Sequence, residues 1–323
     1  MSPELLYLSN ADIQVLQISP REAREAVLAG FRDNAAGGNI GLPKSTITIG
    51  PSSWFSSMNA ASKTNSLATT KWVAAIPVDG NPERSTVNGL ICVSDYKTGV
   101  PVAVLDGNSI TLMRTAATSA AAASYLAPET PASIGLVGCG LQALSHIEAF
   151  VDLFPSLRKI HLLSQSVRSA ARAATAASEK QLDPIITTDP DALLSESDVV
   201  ITMVPSSPGL KSFLDARLLP VSCFVSAVDG GRSWRPETLT AFNIFVTDAL
   251  EQSSAPVDAS DRYVNSIRFQ DDLVHLACRS SQRVVASSKA FFGFRGFAIA
   301  DLALAELALR KARAMGIGRS LPR

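Results

Sequence analysis

Between residues 133 and 247 the chain alternates short apolar runs with longer segments whose apolar residues recur at helical spacing. The runs Ile134–Val137, Lys159–Ser164, Pro184–Thr187, Asp198–Val204, Ser222–Val228 and Asn243–Thr247 predict strands. Leu141–Phe154 and the Ala-rich Arg168–Lys180 predict helices, and Asp189 or Asp191 predicts the cap of a short helix leading to Ser195. Strand and helix in this rhythm imply a parallel sheet covered on both faces. The N-terminal part differs. Ser19-Pro20 opens an amphipathic helix, Arg21–Asn34. The β-rich stretches Ser45–Ile49, Trp54–Met58, Thr70–Ile76, Ser85–Ser94 and Val100–Leu105 follow, separated by turn signals such as Asp79-Gly80 and Lys97-Thr98-Gly99. They predict an α+β domain of mostly antiparallel strands. Asn108 or Ser109 is expected to cap a long helix, Thr111–Leu126, that carries the chain into the second domain. The last helix, Ala300–Met315, is expected to fold back on the first.

Gly138-Cys139-Gly140-Leu141-Gln142-Ala143 lies between the first of these apolar runs and the helical pattern from Leu141. That is the strand, glycine turn and helix in which G-x-G-x-x-[GA] binds a dinucleotide. Gly138 allows the tight turn, Gly140 allows close approach of a pyrophosphate, and Ala143 lets the helix sit on the sheet. The helix N-terminus offers free N–H groups and partial positive charge. The fold class expected is therefore α/β, a Rossmann-type doubly wound sheet, joined to the α+β domain. An acid at the end of the second strand, about 20 residues on, marks NAD-binding folds. Here that place holds Ser164-Gln165-Ser166, and no acid lies between Pro155 and Ser178. Ser164, Ser166 and Arg168 suit a 2′-phosphate, which favours NADP over NAD.

Composition narrows the function class. At 323 residues the chain is long enough for two domains, and 46% hydrophobic against 18% charged residues supplies sizeable cores. Lys plus Arg and Asp plus Glu balance at 29 each, which argues against nucleic acid or a membrane surface as partner. There is no apolar run of bilayer length and no basic leader, so a cytoplasmic protein is expected. Cys92, Cys139, Cys223 and Cys278 are scattered and read as buried free thiols. His146, His161 and His275 form no cluster with them, which makes a transition-metal site improbable, and each reads as a surface or packed imidazole. With no G-x-S-x-G elbow, a serine hydrolase is not indicated.

Three further segments carry a resemblance. They are Thr70-Lys71-Trp72-Val73, the stretch Ser85–Asp106 running into Leu112-Met113-Arg114-Thr115-Ala116-Ala117, and the ending Phe294–Leu307 with Asp301-Leu302-Ala303. Together with the glycine turn they resemble the ornithine cyclodeaminase/mu-crystallin family over nearly the whole chain. Lys71-Trp72 with Pro77, Asn81 and Arg84-Ser85, and Val225-Ser226-Ala227-Val228-Asp229, lean toward the siderophore-type branch that forms 2,3-diaminopropionate. The cyclodeaminase pattern G-G-D-x-P-G-K is absent, and the early substrate-binding Arg of the family is here Lys44 after Pro43.

The resemblance implies an NAD(P)-dependent oxidoreductase acting on the C–N bond of an α-amino acid, an N-substituted amino acid or an imine. It also implies a homodimer. The alternatives are an ornithine-type cyclodeaminase that recycles NAD+ and a mu-crystallin-like protein that binds NADPH and small ligands. Residues 1–115 plus 295–323 are then the substrate-binding and dimerisation domain, and 116–294 the nucleotide domain.

The residues supply their own chemistry. Arg114, near the start of a capped helix, has the planar fork that grips a carboxylate, and the helix N-terminus would add favourable potential. It is otherwise a structural ion pair. Lys71, in an apolar stretch, is costly to bury unpaired, and facing a cleft its pKa falls into the range of proton exchange. On an edge strand it is an ordinary solvated lysine. Lys44 is a second carboxylate contact or an exposed loop residue. Asp229, past an apolar strand, moves a proton or shapes a turn. The candidate cofactor contacts are Thr115, Gly138, Gly140, Leu141, Gln142, Ser164, Arg168 and Asp229. Trp54, Phe55 and Met58 line a substrate pocket or belong to the core.

Overall fold

The sequence builds two sheets, one mostly antiparallel and one wholly parallel. The computed structural model describes residues 4–50, 52–77, 86–207, 209–254, 267–279, 288–293 and 295–322. Two units divide the chain: 1–114 with 296–323, and 115–295. The signals at Asp79-Gly80, Asn81, Arg84-Ser85 and Phe294 lie outside the described residues.

The first unit runs β1 (Leu5–Leu8), α1 (Asn10–Val15), α2 (Pro20–Ala35), β2 (Asn39–Gly41), β3 (Ser45–Gly50), β4 (Ser53–Ser62), β5 (Leu67–Ala75), β6 (Val87–Asp95), β7 (Pro101–Asp106) and the start of α3 (Gly107–Leu126). Its strands order β16-β1-β7-β6-β5-β4-β2, with β3 beside β4; β16 is Arg319–Leu321 at the C-terminus. Neighbours are antiparallel except β1 and β7. Ser19 and Glu22 close a capping box on α2, with Pro20 in its first turn. The C-terminal helix α9 (Ala298–Met315) packs on α2, β4 and β5, as the sequence predicts for the last helix. Gly30 brings α2 and α9 close: a Cβ there would lie 3.2 Å from both Ala303 and Ile299. Strands β1, β2 and β16, three or four residues each, are too short for period-two patterning to reveal.

The long helix starts earlier than expected. Gly107 opens α3, so Asn108 and Ser109 lie within it rather than capping it. Asp106 Oδ1 accepts from Asn108 N at 2.9 Å, and Asn108 Oδ1 accepts instead from Gly89 N at 3.0 Å.

The second unit continues with β8 (Ser133–Val137), α4 (Leu141–Leu153), β9 (Lys159–Leu163), α5 (Val167–Glu179), β10 (Asp183–Thr187), α6 (Pro190–Ser195), β11 (Val199–Thr202), β12 (Cys223–Ala227), β13 (Ile244–Thr247), α7 (Leu250–Ser254), β14 (Asp271–Asp272), α8 (Leu273–Ala277) and β15 (Lys289–Gly293). The parallel order is β10-β9-β8-β11-β12-β15-β13-β14. The central strands β8, β11 and β12 are buried at every position, so their sequences read as unbroken apolar runs. Asp189 caps α6, accepting from Asp191 N and Ala192 N. The sequence reading contained no β15, which inserts between β12 and β13 although it follows both in the chain. Phe291 on β15 then closes an aromatic cluster with Phe242 at 5.2 Å, and Trp234 meets Phe242 at 5.6 Å. Among the described residues, no helix is long and apolar enough to cross a membrane.

Candidate active site

Lys71 sits on an interior strand, not an edge: β5 pairs with β4 on one side and β6 on the other. Period two puts Thr69, Lys71 and Val73 on the buried face and Thr70 and Trp72 on the exposed one. The cross-strand neighbours of Lys71 are Met58 and Ile91, both buried, so Met58 belongs to the core. Phe55 stacks on Trp72 at 5.6 Å on the other face. Lys71 is 1% exposed, and its ammonium must find its counter-charge inside the protein.

Asp301, in the first turn of α9 and also 1% exposed, supplies that charge. Lys71 Nζ donates to Asp301 Oδ1 at 2.7 Å and reaches Thr111 Oγ1 at 3.5 Å. Arg114 Nε lies 3.3 Å from the same Asp301 oxygen. Asp301 Oδ2 is buried without a hydrogen-bond partner. Gly296 makes room for the guanidinium: its φ is +87°, and a Cβ there would lie 2.9 Å from Arg114 Nη1. With Lys71 protonated, one Asp301 carboxylate oxygen faces two buried cations. Burial, then Arg114 and more weakly half-buried Lys44, outweigh the opposing pull of Asp301 and lower the Lys71 pKa to about 8.

The dipole argument for Arg114 does not hold. Because α3 begins at Gly107, Arg114 stands two turns in, beyond the reach of the helix N-terminus. Instead Asp301 forms an ion pair with its guanidinium, and Gly296 leaves it room. No sequence motif marks either as a site residue, although Asp301 is the lone acid in the apolar stretch Ala298–Ala305. Lys71 and Asp301 are 230 positions apart, so no local spacing connects them.

In the second unit the glycine turn has the shape a dinucleotide needs. Gly138 adopts φ +96°, and a Cβ there would lie 2.9 Å from Met203 O. Gly140 stands at the N-cap of α4 with no side-chain cap, and a Cβ on it would meet nothing within 4 Å. Ala143 is fully buried against the sheet, while Leu141 is exposed. An uncapped helix end with open space before it suits a phosphate. Thr115 is buried at the head of this unit. Past β9, Ser164 Oγ accepts from Ser166 N, Ser166 Oγ caps α5 through Ser169 N, and Arg168 stands exposed in the acid-free first turn.

Asp229, two residues beyond β12, is 3% exposed and already engaged. Its Oδ1 accepts from Thr202 Oγ1 at 2.8 Å and Gly231 N at 3.0 Å, and its Oδ2 from Ser233 Oγ.

A buried relay lies beside the turn. Ser226 Oγ donates to Ser119 Oγ at 2.9 Å, which is 3.0 Å from His146 Nε2, and His146 Nδ1 is 2.7 Å from Gln142 O. The carbonyl requires the proton on Nδ1, so Nε2 accepts from Ser119. Burial lowers the His146 pKa to about 4. His161 is also buried, and His275 is exposed. Cys139 and Cys223 are buried thiols, but Cys92 is only half-buried and Cys278 is exposed, because Cys278 ends a five-residue surface helix. Asp271, Asp272 and His275 gather within 4.8 Å, yet Asp272 caps α8 and Asp271 pairs with Arg279 at 2.6 Å.

The family model described as "Ornithine cyclodeaminase/mu-crystallin family" matches residues 4–314. A Δ1-pyrroline-2-carboxylate/Δ1-piperideine-2-carboxylate reductase of Azospirillum brasilense is 36% identical over 149 residues, 46% of this chain and 47% of that protein. The alanine dehydrogenase of Archaeoglobus fulgidus is 26% identical over 330 residues, 98% of each chain. The chain spans about half the length of some of the curated relatives it matches, the Azospirillum reductase among them. An archaeal alanine dehydrogenase dimer with bound NAD shares the fold, with TM-score 0.86 and 24% identity over 98% of this chain and 99% of that one.

Proposed function

We propose that this chain, which belongs to the ornithine cyclodeaminase/mu-crystallin family, is a nicotinamide-dependent reductase of α-imino acids that runs in reverse as an amino-acid dehydrogenase. The observation that carries the reading is the buried pair Lys71 and Arg114 on one Asp301 oxygen. A buried site on which two cations converge favours a carboxylate, and the guanidinium fork orients it. Lys44 adds to the same potential. The nicotinamide, when bound, supplies or accepts the hydride at the carbon bearing nitrogen. The chain's own residues do the rest: Arg114 and Lys71 hold the carboxylate, and Lys71, with a pKa of about 8, gives its proton to the imine nitrogen near neutral pH. We assign proton exchange to Lys71 rather than Asp229, whose oxygens already accept three hydrogen bonds.

The residues of the glycine turn fit a dinucleotide, with Gly138, Gly140, Leu141 and Gln142 at the phosphates. Ser164, Ser166 and Arg168 favour NADP over NAD, since no carboxylate stands there to repel a 2′-phosphate. The relatives named above are reductases and dehydrogenases of imino and amino acids, which moves the expected substrate from a siderophore-type adduct toward a small imino acid. The exposed face of the first sheet presents Trp72 beside Leu90, with Ile47 and Ile49 on β3, all 47% to 57% exposed. That apolar surface supports a homodimer formed through the first unit, in keeping with the dimeric relative.

The test follows reduced nicotinamide spectroscopically with cyclic imino acids, pyruvate plus ammonia, and ornithine. Consumption of NADPH with an imino acid is expected. Ammonia release from ornithine without net cofactor change would replace this reading with a cyclodeaminase. Cofactor binding without turnover of any substrate would replace it with a ligand-binding protein.

A further inference from the structure

The mechanism above uses Lys71 and Arg114 but gives no task to the acid between them. We propose that Asp301 is a positioning residue, whose one engaged oxygen holds the Lys71 ammonium and the Arg114 guanidinium on a common point and keeps Lys71 able to carry its proton. This rests on the reading of the site as a carboxylate-binding imine reductase.

The geometry makes the argument. Lys71 comes from a strand, Arg114 from the third turn of α3, and Asp301 from the first turn of α9. All three are buried, at 1%, 8% and 1% exposed. Two cations brought together without water repel strongly, and each also loses hydration. An acid on their common side offsets that repulsion for both. Asp301 does this with Oδ1 alone, at 2.7 Å from Lys71 Nζ and 3.3 Å from Arg114 Nε, and leaves Oδ2 buried without a hydrogen-bond partner. An acid kept only to complete a hydrogen-bond network would use both oxygens, as Asp229 does.

Among the described residues, the following groups act on Lys71. From α9 comes Asp301; from α3, Arg114 and the neutral Thr111; from the segment before β3, Lys44; from β4 and β6, the apolar Met58 and Ile91. Asp301 is the one acid in this set. Replacing it leaves burial, Arg114 and Lys44 all favouring the neutral amine. The Lys71 midpoint must then fall, and proton delivery falls with it.

The experiment labels lysine Cε in the full-length protein and follows the Lys71 resonance, assigned by its loss in Lys71→Met, through a pH titration. In the wild type the midpoint is expected at about 8. In Asp301→Asn it drops by about one pH unit or more, a tenfold loss of proton affinity. The alkaline limb of kcat/KM for an imino acid drops by the same amount. Asp301→Glu returns the midpoint to near its wild-type value but, with its carboxylate displaced by one methylene, raises KM several-fold. A wild-type midpoint in Asp301→Asn overturns the proposal. If Asp301→Asn does not fold, Asp301→Glu decides: an unchanged KM overturns it. A wild type that turns over no imino acid, with the midpoint still shifted in Asp301→Asn, removes the enzymatic reading and leaves the hold of Asp301 on Lys71 standing.

Discussion

Two buried aspartates divide the chemistry of this molecule. Asp229, in the parallel-sheet unit, is surrounded by hydroxyls and an amide N–H that occupy both of its oxygens. Asp301, in the antiparallel-sheet unit, faces two cations with one oxygen and has no hydrogen bond on the other. The first arrangement is closed: every strong acceptor is matched by a neutral donor, and the turn after β12 is fixed by it. The second gathers two cations on one carboxylate oxygen inside the protein, an arrangement that a ligand carboxylate complements. Burial alone therefore does not identify a working acid; the cations around it do.

The contrast is broken most directly by removing one of the two cations. Lys71→Met is expected to lower kcat for imino-acid reduction by about 10²- to 10⁴-fold, the usual cost of losing a positioned proton donor. Calorimetry should find nicotinamide binding unchanged. Equal kcat in the variant would take Lys71 out of the chemistry.

A second prediction concerns the parallel-sheet unit and acid. His146 is held neutral, with its pKa lowered from the ordinary 6.5 to about 4. Between those values the unfolded chain binds the proton and the folded one does not, so stability falls as pH drops from 6.5 toward 4. The gap corresponds to about 3 kcal/mol, fully lost by about pH 4. Denaturant titrations of wild type and His146→Gln across this window should show that component disappear in the variant. Parallel pH dependences in the two proteins would contradict the buried neutral imidazole.

Gly138→Ala probes the turn. With φ at +96° and Met203 O 2.9 Å from the added Cβ, the loop must move. Nicotinamide affinity should fall at least tenfold by calorimetry, with about 1–3 kcal/mol of stability lost. The smallest effect is expected at the end of β9. Arg168→Ala should shift preference from NADPH toward NADH by about tenfold in kcat/KM, in line with one exposed charge on a phosphate. An unchanged ratio would remove Arg168 from cofactor choice.

The parallel unit was the more legible in sequence. β8, the glycine turn and α4 announce themselves because a strand buried on both faces is an unbroken apolar run and the turn needs glycine. β15 was not legible, since its place between β12 and β13 follows from pairing rather than from its own five residues. In the antiparallel unit, alternation placed the strands, but not which of them lay inside the sheet. Lys71 therefore read equally well as an edge residue until β4 and β6 enclosed it. Arg114 was noticed for its chemistry, yet the support assigned to it, a helix end, was mistaken because α3 begins at Gly107. Asp301 escaped notice because its meaning depends on partners from two distant segments.

The central claim is that the buried cation pair selects substrates by their carboxylate. It is tested most directly by comparing NADPH oxidation with Δ1-pyrroline-2-carboxylate and with Δ1-pyrroline, which lacks only that group. The account predicts turnover with the first and a loss of at least about a hundredfold in kcat/KM with the second, the scale of an unmet charge-assisted hydrogen bond. Equal rates with both would contradict it.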